Sequence, residues 1–177
     1  MRRLFIVRHA PVVVKPDVPS AAWQLTSDAA SLVRNLASEI PISSPSRIIS
    51  SKQDKALQTA RILASEFSAS VEVRGGFEEH HRGNEPFIAD DLEFRTNIKS
   101  FFERPNELVY GNETAQEALT RFQCAVDELM SEGTNDEIVV THGTVGSLYL
   151  ATHGGDAFEI WSSLATPDYR YIQWTLD

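Results

Sequence analysis

Short β-branched apolar runs separated by stretches of helical periodicity predict an α/β fold, a three-layer α/β/α sandwich on a mostly parallel central sheet. Three observations carry that expectation. RLFIVR at 3–8, RIIS at 47–50 and EIVVTH at 137–142 are near-continuous apolar runs, as strands covered on both faces require. Apolar residues between the runs recur at intervals of three and four. Residues 75–112 follow neither period and read as a small cap insertion over the sheet.

The elements follow in order. The first strand, 3–8, ends at His9, and a loop continues through Pro11, Pro16 and Pro19. Thr26 reads as the N-cap of a helix with Leu32, Val33, Leu36 and Ile40 on one face. After the strand at 47–50, Lys52 to Phe67 reads as a helix carrying Ala56, Ala60, Leu63, Ala64 and Phe67 inward, and VEV at 71–73 as a brief third strand. In the cap, Gly75-Gly76, Pro86, Pro105 and Gly111-Asn112 interrupt any pattern, leaving Leu92 to Glu103 as its one helix. Glu113 begins a long helix with Ala118, Phe122, Ala125, Val126, Leu129 and Met130 inward; Gly143-Thr144 opens another after the strand at 137–142. Tyr169 to Leu176 alternates like a strand with one buried face.

A chain of 177 residues, 42% hydrophobic and 23% charged, suits one domain over 1–177 with a sizeable core. The net charge of −9 argues against nucleic acid or an anionic membrane as partner, since both reward clustered Lys and Arg. A small anion needs only a few local cations. No apolar run is long enough to span a bilayer. LFIV after Met-Arg-Arg is too short for a signal-peptide core, so a cytoplasmic location is expected. The lone Cys124 excludes an internal disulfide.

Two histidines occupy matching places. His9 ends the first strand in VRHA, and His142 ends the later strand in VVTHG. A parallel sheet brings both strand ends to one edge, where ligands collect. An imidazole there can attack phosphorus, dividing one hard substitution into two easier ones. Arg8 supplies a planar fork for phosphoryl oxygens. His142 adds a donor, and the helix opening at Gly143 offers free backbone N–H groups. Arg8 and His9, as strand neighbours, can share a ligand only if the backbone turns between them. The leaving alkoxide needs a proton, for which Glu79 in GFEEHHRG is the candidate and Glu78 the near-equal alternative. A carboxyl held in a partly dry cleft near the phosphate is expected to have a raised pKa. No metal or other cofactor is required.

Other conspicuous residues have plainer readings. His80-His81 is expected to be a solvated or substrate-lining pair rather than a metal site. Cys124, among Phe122, Ala125 and Val126, reads as core packing, and His153 as a helix C-terminal cap. Phe87, Phe94, Phe101 and Phe102 are expected to hold the cap on the sandwich, the alternative being that one or two meet an apolar leaving group.

These residues resemble the histidine phosphatase superfamily, the phosphoglycerate-mutase-like group. Its Arg-His-Gly corresponds to Arg8-His9-Ala10, and its Ser-Ser followed by Arg-Ala-x-Gln-Thr-Ala to SSKQDKALQTA at 50–60. Its later His-Gly is similar to His142-Gly143, and its leucine-x-glutamate block ahead of glycine to Phe77-Glu78-Glu79 and Gly83, which selects Glu79. The resemblance implies that His9 is phosphorylated, that Glu79 donates the proton, and that Arg8 and His142 belong to the phosphate pocket. It also implies the doubly wound sandwich. Ser51, Arg82 and Gly143 fall on the phosphate or substrate side. Lys55 stands where the family has a second phosphate-binding arginine. Losing that fork could cost on the order of 3 kcal/mol, about a hundredfold in rate, unless Arg82 substitutes; Arg61 is expected to face solvent. The function implied is a metal-independent phosphomonoesterase acting on a small phosphate ester, with a homodimer left open. Two alternatives stand beside it. A mutase would need more cap cations than Arg82, Arg95 and Arg104. A non-catalytic phosphate-binding module would have no need of Glu79.

Overall fold

The computed structural model describes residues 2–42, 44–83, 87–133 and 135–174. Five strands form one sheet in the order β3-β2-β4-β1-β5. They are β1 (Arg2–Arg8), β2 (Arg47–Ser50), β3 (Ser70–Val73), β4 (Glu137–Thr141) and β5 (Asp168–Trp174). The first four run parallel, and β5 pairs antiparallel on the outer side of β1. Residues 175 and 176 of the expected last strand lie outside the described residues.

The side-chain alternation of β1 sorts the helices into layers. Phe5 and Val7, with Ile48, Ile138 and Val140, pack against α1 (Ala29–Glu39) and α2 (Asp54–Phe67). Leu4 and Ile6, with Ile49 and Val139, face α4 (Ala115–Ser131) and α5 (Gly143–Ala151) on the other side. Each fully buried side chain of this size contributes about 1.5–3 kcal/mol of transfer free energy. α5 is buried from Gly143 to Leu150, which explains its lack of a polar face. A smaller cluster of Ile98, Tyr110 and Trp161 joins α3 (Asp91–Glu103) to α6 (Ala157–Ser163), fastening the cap.

Several boundaries move. The first helix begins at Ala29; the Thr26 carbonyl accepts the Ala29 N–H, while its hydroxyl donates to Pro11. The long helix begins at Ala115, not Glu113, because Thr114 and Glu117 form a reciprocal capping box. Glu113 instead accepts from His81 N–H and pairs with Arg121 at 2.9 Å. The short α6 and a 3₁₀ turn at Ser20–Ala22 interrupt stretches expected to be loop. Cys124 is exposed, contrary to expectation: Phe122 and Val126 share the inward face, so the position midway between them points out. His153 is also exposed, one residue beyond the α5 C-cap Thr152, with its ring against Tyr149. Arg61 faces solvent.

At the starting end of the parallel strands lies a dense ion network. Arg47 reaches Glu72 at 2.9 Å, Glu132 at 3.1 Å and Glu137 at 3.2 Å. Arg2 also meets Glu137, and Arg74 reaches back to Glu132 at 2.6 Å. Arg74 and then Arg47 hold the Glu132 carboxyl down at about 2.

Candidate active site

The β1–β4 register sets Arg8 beside Thr141, so the residues after them leave the sheet at one level. The His9 N–H donates to the Thr141 carbonyl at 3.0 Å, continuing the ladder one step past the strand. The two imidazoles consequently meet, with ring centroids 5.2 Å apart, and both are buried. The expectation that parallel strand ends converge holds here.

His9 Nδ1 lies 2.8 Å from the Ala10 carbonyl. A carbonyl only accepts, so Nδ1 carries the hydrogen and Nε2 keeps its lone pair. The loop is fixed in turn: the Ala10 N–H donates to the Thr59 hydroxyl, which donates to the Lys55 carbonyl. Burial, and after it the Lys55 charge, lowers the His9 pKa to about 3, so the ring is neutral at ordinary pH. His142 is likewise held well below its usual range, first by burial and then by His9. Its Nε2 shares a 2.8 Å hydrogen bond with the Ser51 hydroxyl, leaving buried Nδ1 without a partner among the described residues. Ser51 Oγ also accepts from the Gln53 N–H, so it acts on the imidazole rather than standing open.

Arg8 projects from the β1 end onto the α5 side, its Nη1 donating to the Leu164 carbonyl at 2.7 Å. Its Nε is buried and unpartnered. Gly143 permits this placement: a Cβ there would sit 3.1 Å from the guanidinium carbon. Lys55, on the first turn of α2, is buried, donates to the Ser20 carbonyl at 3.0 Å and lies 5.7 Å from the Trp23 ring centroid. Burial, reinforced by Arg82 and Arg8 and opposed by Glu79, lowers its pKa to about 8.

The Glu79 carboxylate accepts the Thr144 and Val145 N–H groups at 3.1 Å each and the His80 N–H at 3.0 Å. Burial alone would raise its pKa, but contact with His80 and the charge of Arg82 outweigh burial and hold it well below the usual carboxylate range. The protein's own groups therefore favour the Glu79 carboxylate, so the raised pKa expected near phosphate has to come from the phosphate itself. The same contacts correct one expectation, because two α5 N–H groups foreseen as free for phosphate are already engaged. Glu78 turns aside, accepting from the Gly76 N–H at 2.7 Å.

Arg121, which sequence reasoning overlooked, clamps this turn by donating to the Gly76 carbonyl at 2.8 Å and the Glu78 carbonyl at 3.1 Å. At Gly76, φ is 94° and a Cβ would lie 2.4 Å from the Ala125 Cβ, so the turn docks directly on α4. Of the pair expected to be solvated or substrate-lining, both line the cavity described below, but only His81 is solvated. The His80 ring is buried 4.4 Å from Phe101 and 5.5 Å from Tyr110, while His81 is exposed. Arg82 lies over Phe94 and Tyr110, at 5.1 and 5.4 Å.

A cavity of about 770 Å³, with Glu79 in its wall, lies between the loop after β1 and the cap. Trp23, Phe87, Phe94 and Tyr110 are among its walls, whereas Phe101 is wholly buried in the core. No signal in the sequence distinguished Trp23, because its position depends on how the proline-rich loop folds back. Among the described residues, no three His, Cys, Asp or Glu side chains converge as a metal-ligand set, and no helix is long and apolar enough to cross a membrane.

The family model for the histidine phosphatase superfamily (branch 1) matches residues 4–172. No curated protein matches the sequence. Among solved structures, a mycobacterial glucosyl-3-phosphoglycerate phosphatase aligns with a TM-score of 0.74 at 17% identity, covering 98% of each chain. A putative α-ribazole-5′-phosphate phosphatase from Escherichia coli gives 0.72 at 19% identity, covering 99% of this chain and 92% of its own. A phosphoserine phosphatase from Entamoeba histolytica gives 0.72 at 16% identity, covering 97% and 90%. At these identities, the likeness is one of fold.

Proposed function

This chain belongs to the histidine phosphatase superfamily (branch 1), and from that premise we propose that it is a metal-independent phosphomonoesterase acting through a phosphohistidine on a small phosphorylated metabolite. The observation that carries the reading is the His9 tautomer. With Nδ1–H tied to Ala10 and the ring neutral, Nε2 presents a lone pair beside buried cations.

In the first step Nε2 attacks phosphorus, the ester P–O bond breaks, and the leaving alkoxide takes a proton from Glu79. In the second, water gives a proton to the Glu79 carboxylate and attacks the phosphohistidine, releasing phosphate and neutral His9. Arg8 Nε, His142 Nδ1 and the Lys55 ammonium receive the phosphoryl oxygens. As buried donors fixed in place, they gain strength when charge spreads in the transition state. Glu79 starts ionised, so it must gain its proton as substrate binds. An adjacent phosphate dianion raises its pKa, and a phosphate monoester, with its second pKa near about 6, brings the proton with its monoanion.

A mutase-type transfer has less support. Arg95 bonds Ser162 and lies over Trp161, and Arg104 pairs with Glu107, so neither faces the cavity. The test is phosphate release by wild type and His9→Ala with a chelator present, alongside trapping of an alkali-stable, acid-labile phosphoprotein. His9→Ala should lose at least about 10⁴-fold in turnover and the label altogether. Intact turnover in that variant refutes the nucleophile, and strict dependence on a divalent ion refutes metal-free chemistry.

A further inference from the structure

Building on the phosphomonoesterase reading, we propose that the cavity beside Glu79 is a subsite for a planar aromatic leaving group. The substrate class is then a phosphate monoester of an alcohol that carries an aryl or heteroaryl ring.

The argument begins with size. At about 770 Å³ the cavity far exceeds what orthophosphate fills and falls in the range of sites that enclose a small organic molecule. Glu79, the group assigned to protonate the leaving oxygen, is part of its wall, so a group carried by that oxygen can extend into it.

The wall chemistry then selects the occupant. Trp23 comes from the loop after β1, and Phe87, Phe94 and Tyr110 come from the cap. The Trp23 indole N–H is consumed by the Lys15 and Val18 carbonyls, at 3.0 and 2.9 Å, so its polar edge is fixed. Its ring meets Phe87 edge-on, with centroids 6.0 Å apart, across the two sides of the cleft. Val14, Val18 and Phe87 are large apolar side chains left exposed, and all three line this cavity. Exposed apolar surface gathered at a concave site is stabilised by an apolar ligand that covers it.

Charge excludes a polyanion. Asp17 and Glu79 line the same cavity as Arg82, whose guanidinium lies over Phe94 and Tyr110. No surplus of positive charge waits for a second phosphate or carboxylate. A flat ring is the shape that contacts several aromatic walls at once.

The test compares 2-naphthylmethyl phosphate with butyl phosphate. Both leave as primary alkoxides, so the difference reports binding of the ring rather than an easier departure. Wild type should favour the naphthyl ester by at least about tenfold in kcat/KM, and both Phe87→Ala and Trp23→Leu should bring the ratio below about threefold. The ratio is internal to each protein, so loss of folded material does not distort it. Equal kcat/KM for the two esters in wild type, or a ratio unmoved by both substitutions, overturns the subsite. So does glucose 6-phosphate outrunning the naphthyl ester.

Failure of the hydrolase reading looks different: neither ester turns over, and His9→Ala matches wild type. Calorimetry with 2-naphthylmethylphosphonate and butylphosphonate then decides the subsite by itself. Tighter binding of the naphthyl compound, lost in Trp23→Leu, supports it, and equal binding overturns it.

Discussion

The two ends of the parallel sheet use the same residue types to opposite effect. At the starting end, Arg2, Arg47 and Arg74 close on Glu72, Glu132 and Glu137, each carboxylate answering a guanidinium. At the finishing end, Arg8 Nε and His142 Nδ1 are buried and have no partner among the described residues. Buried polar groups ordinarily find partners, because leaving one unsatisfied costs about 1–3 kcal/mol. The finishing end therefore holds binding capacity at the expense of stability, and the starting end does the reverse. One end holds the fold, and the other is where we propose that phosphate binds.

Substitutions can break or sharpen that contrast. The largest effect among those that keep the nucleophile should come from Glu79→Gln, which keeps the shape but removes the transferable proton. For an alkyl ester kcat should fall about 10²–10³-fold, and for p-nitrophenyl phosphate, whose leaving group needs no proton, much less. Equal losses for both esters would remove Glu79 from the acid role.

Next in size is a pH effect. Lys55 titrates at about 8 in the folded chain, so it is charged below that pH and loses its charge above it. The wild-type kcat/KM should decline above pH 8, approaching about tenfold per pH unit, whereas Lys55→Arg, which stays charged, should hold its rate to pH 9 and beyond. Matching alkaline limbs in the two proteins would assign that limb elsewhere. Stability shifts in the opposite sense. Between pH 8 and the ordinary lysine range the unfolded chain binds the additional proton, so this group's contribution to stability rises with pH there.

The smallest catalytic effect belongs to the other end of the sheet. Arg47→Ala should cost about 1–2 kcal/mol, lowering the melting temperature by several degrees, because buried Glu137 keeps only Arg2. Its kcat/KM should match wild type when read on folded protein. A fall beyond about threefold would show that the two ends are coupled.

The same contrast explains what was legible in the sequence. His9 and His142 could be found because each ends a β-branched run, and parallel strands leave little freedom in where their ends go. Two signals were passed over: helical spacing from Phe122 to Val126 turns Cys124 outward, though it was expected in the core, and Thr114 with Glu117 spells a capping box, though the helix was expected to begin at Glu113. The ionisation of Glu79 was not legible. Contact with His80 and the charge of Arg82 outweigh burial there, and FEEHHR alone does not say how closely the folded turn brings those groups to the carboxylate. The burial of His80 likewise depends on Phe101 and Tyr110, which arrive from later parts of the cap. α6 lies between Gly154-Gly155 and Pro167, a segment too short for periodicity to identify. Sequence pattern fixes what the backbone ladder dictates, and loses hold where loops fold back on one another.

The contact at Gly76 leaves this chain little room to drift. A side chain at position 76 would be strained by its positive φ and would run into the methyl of Ala125 opposite. A compensating pair of changes is barred, because shrinking residue 125 to glycine would still leave an L-residue at 76 in a left-handed turn. Three residues beyond that turn stands Glu79, so a helix distant in sequence governs which mutations the neighbourhood of the proposed proton donor can survive.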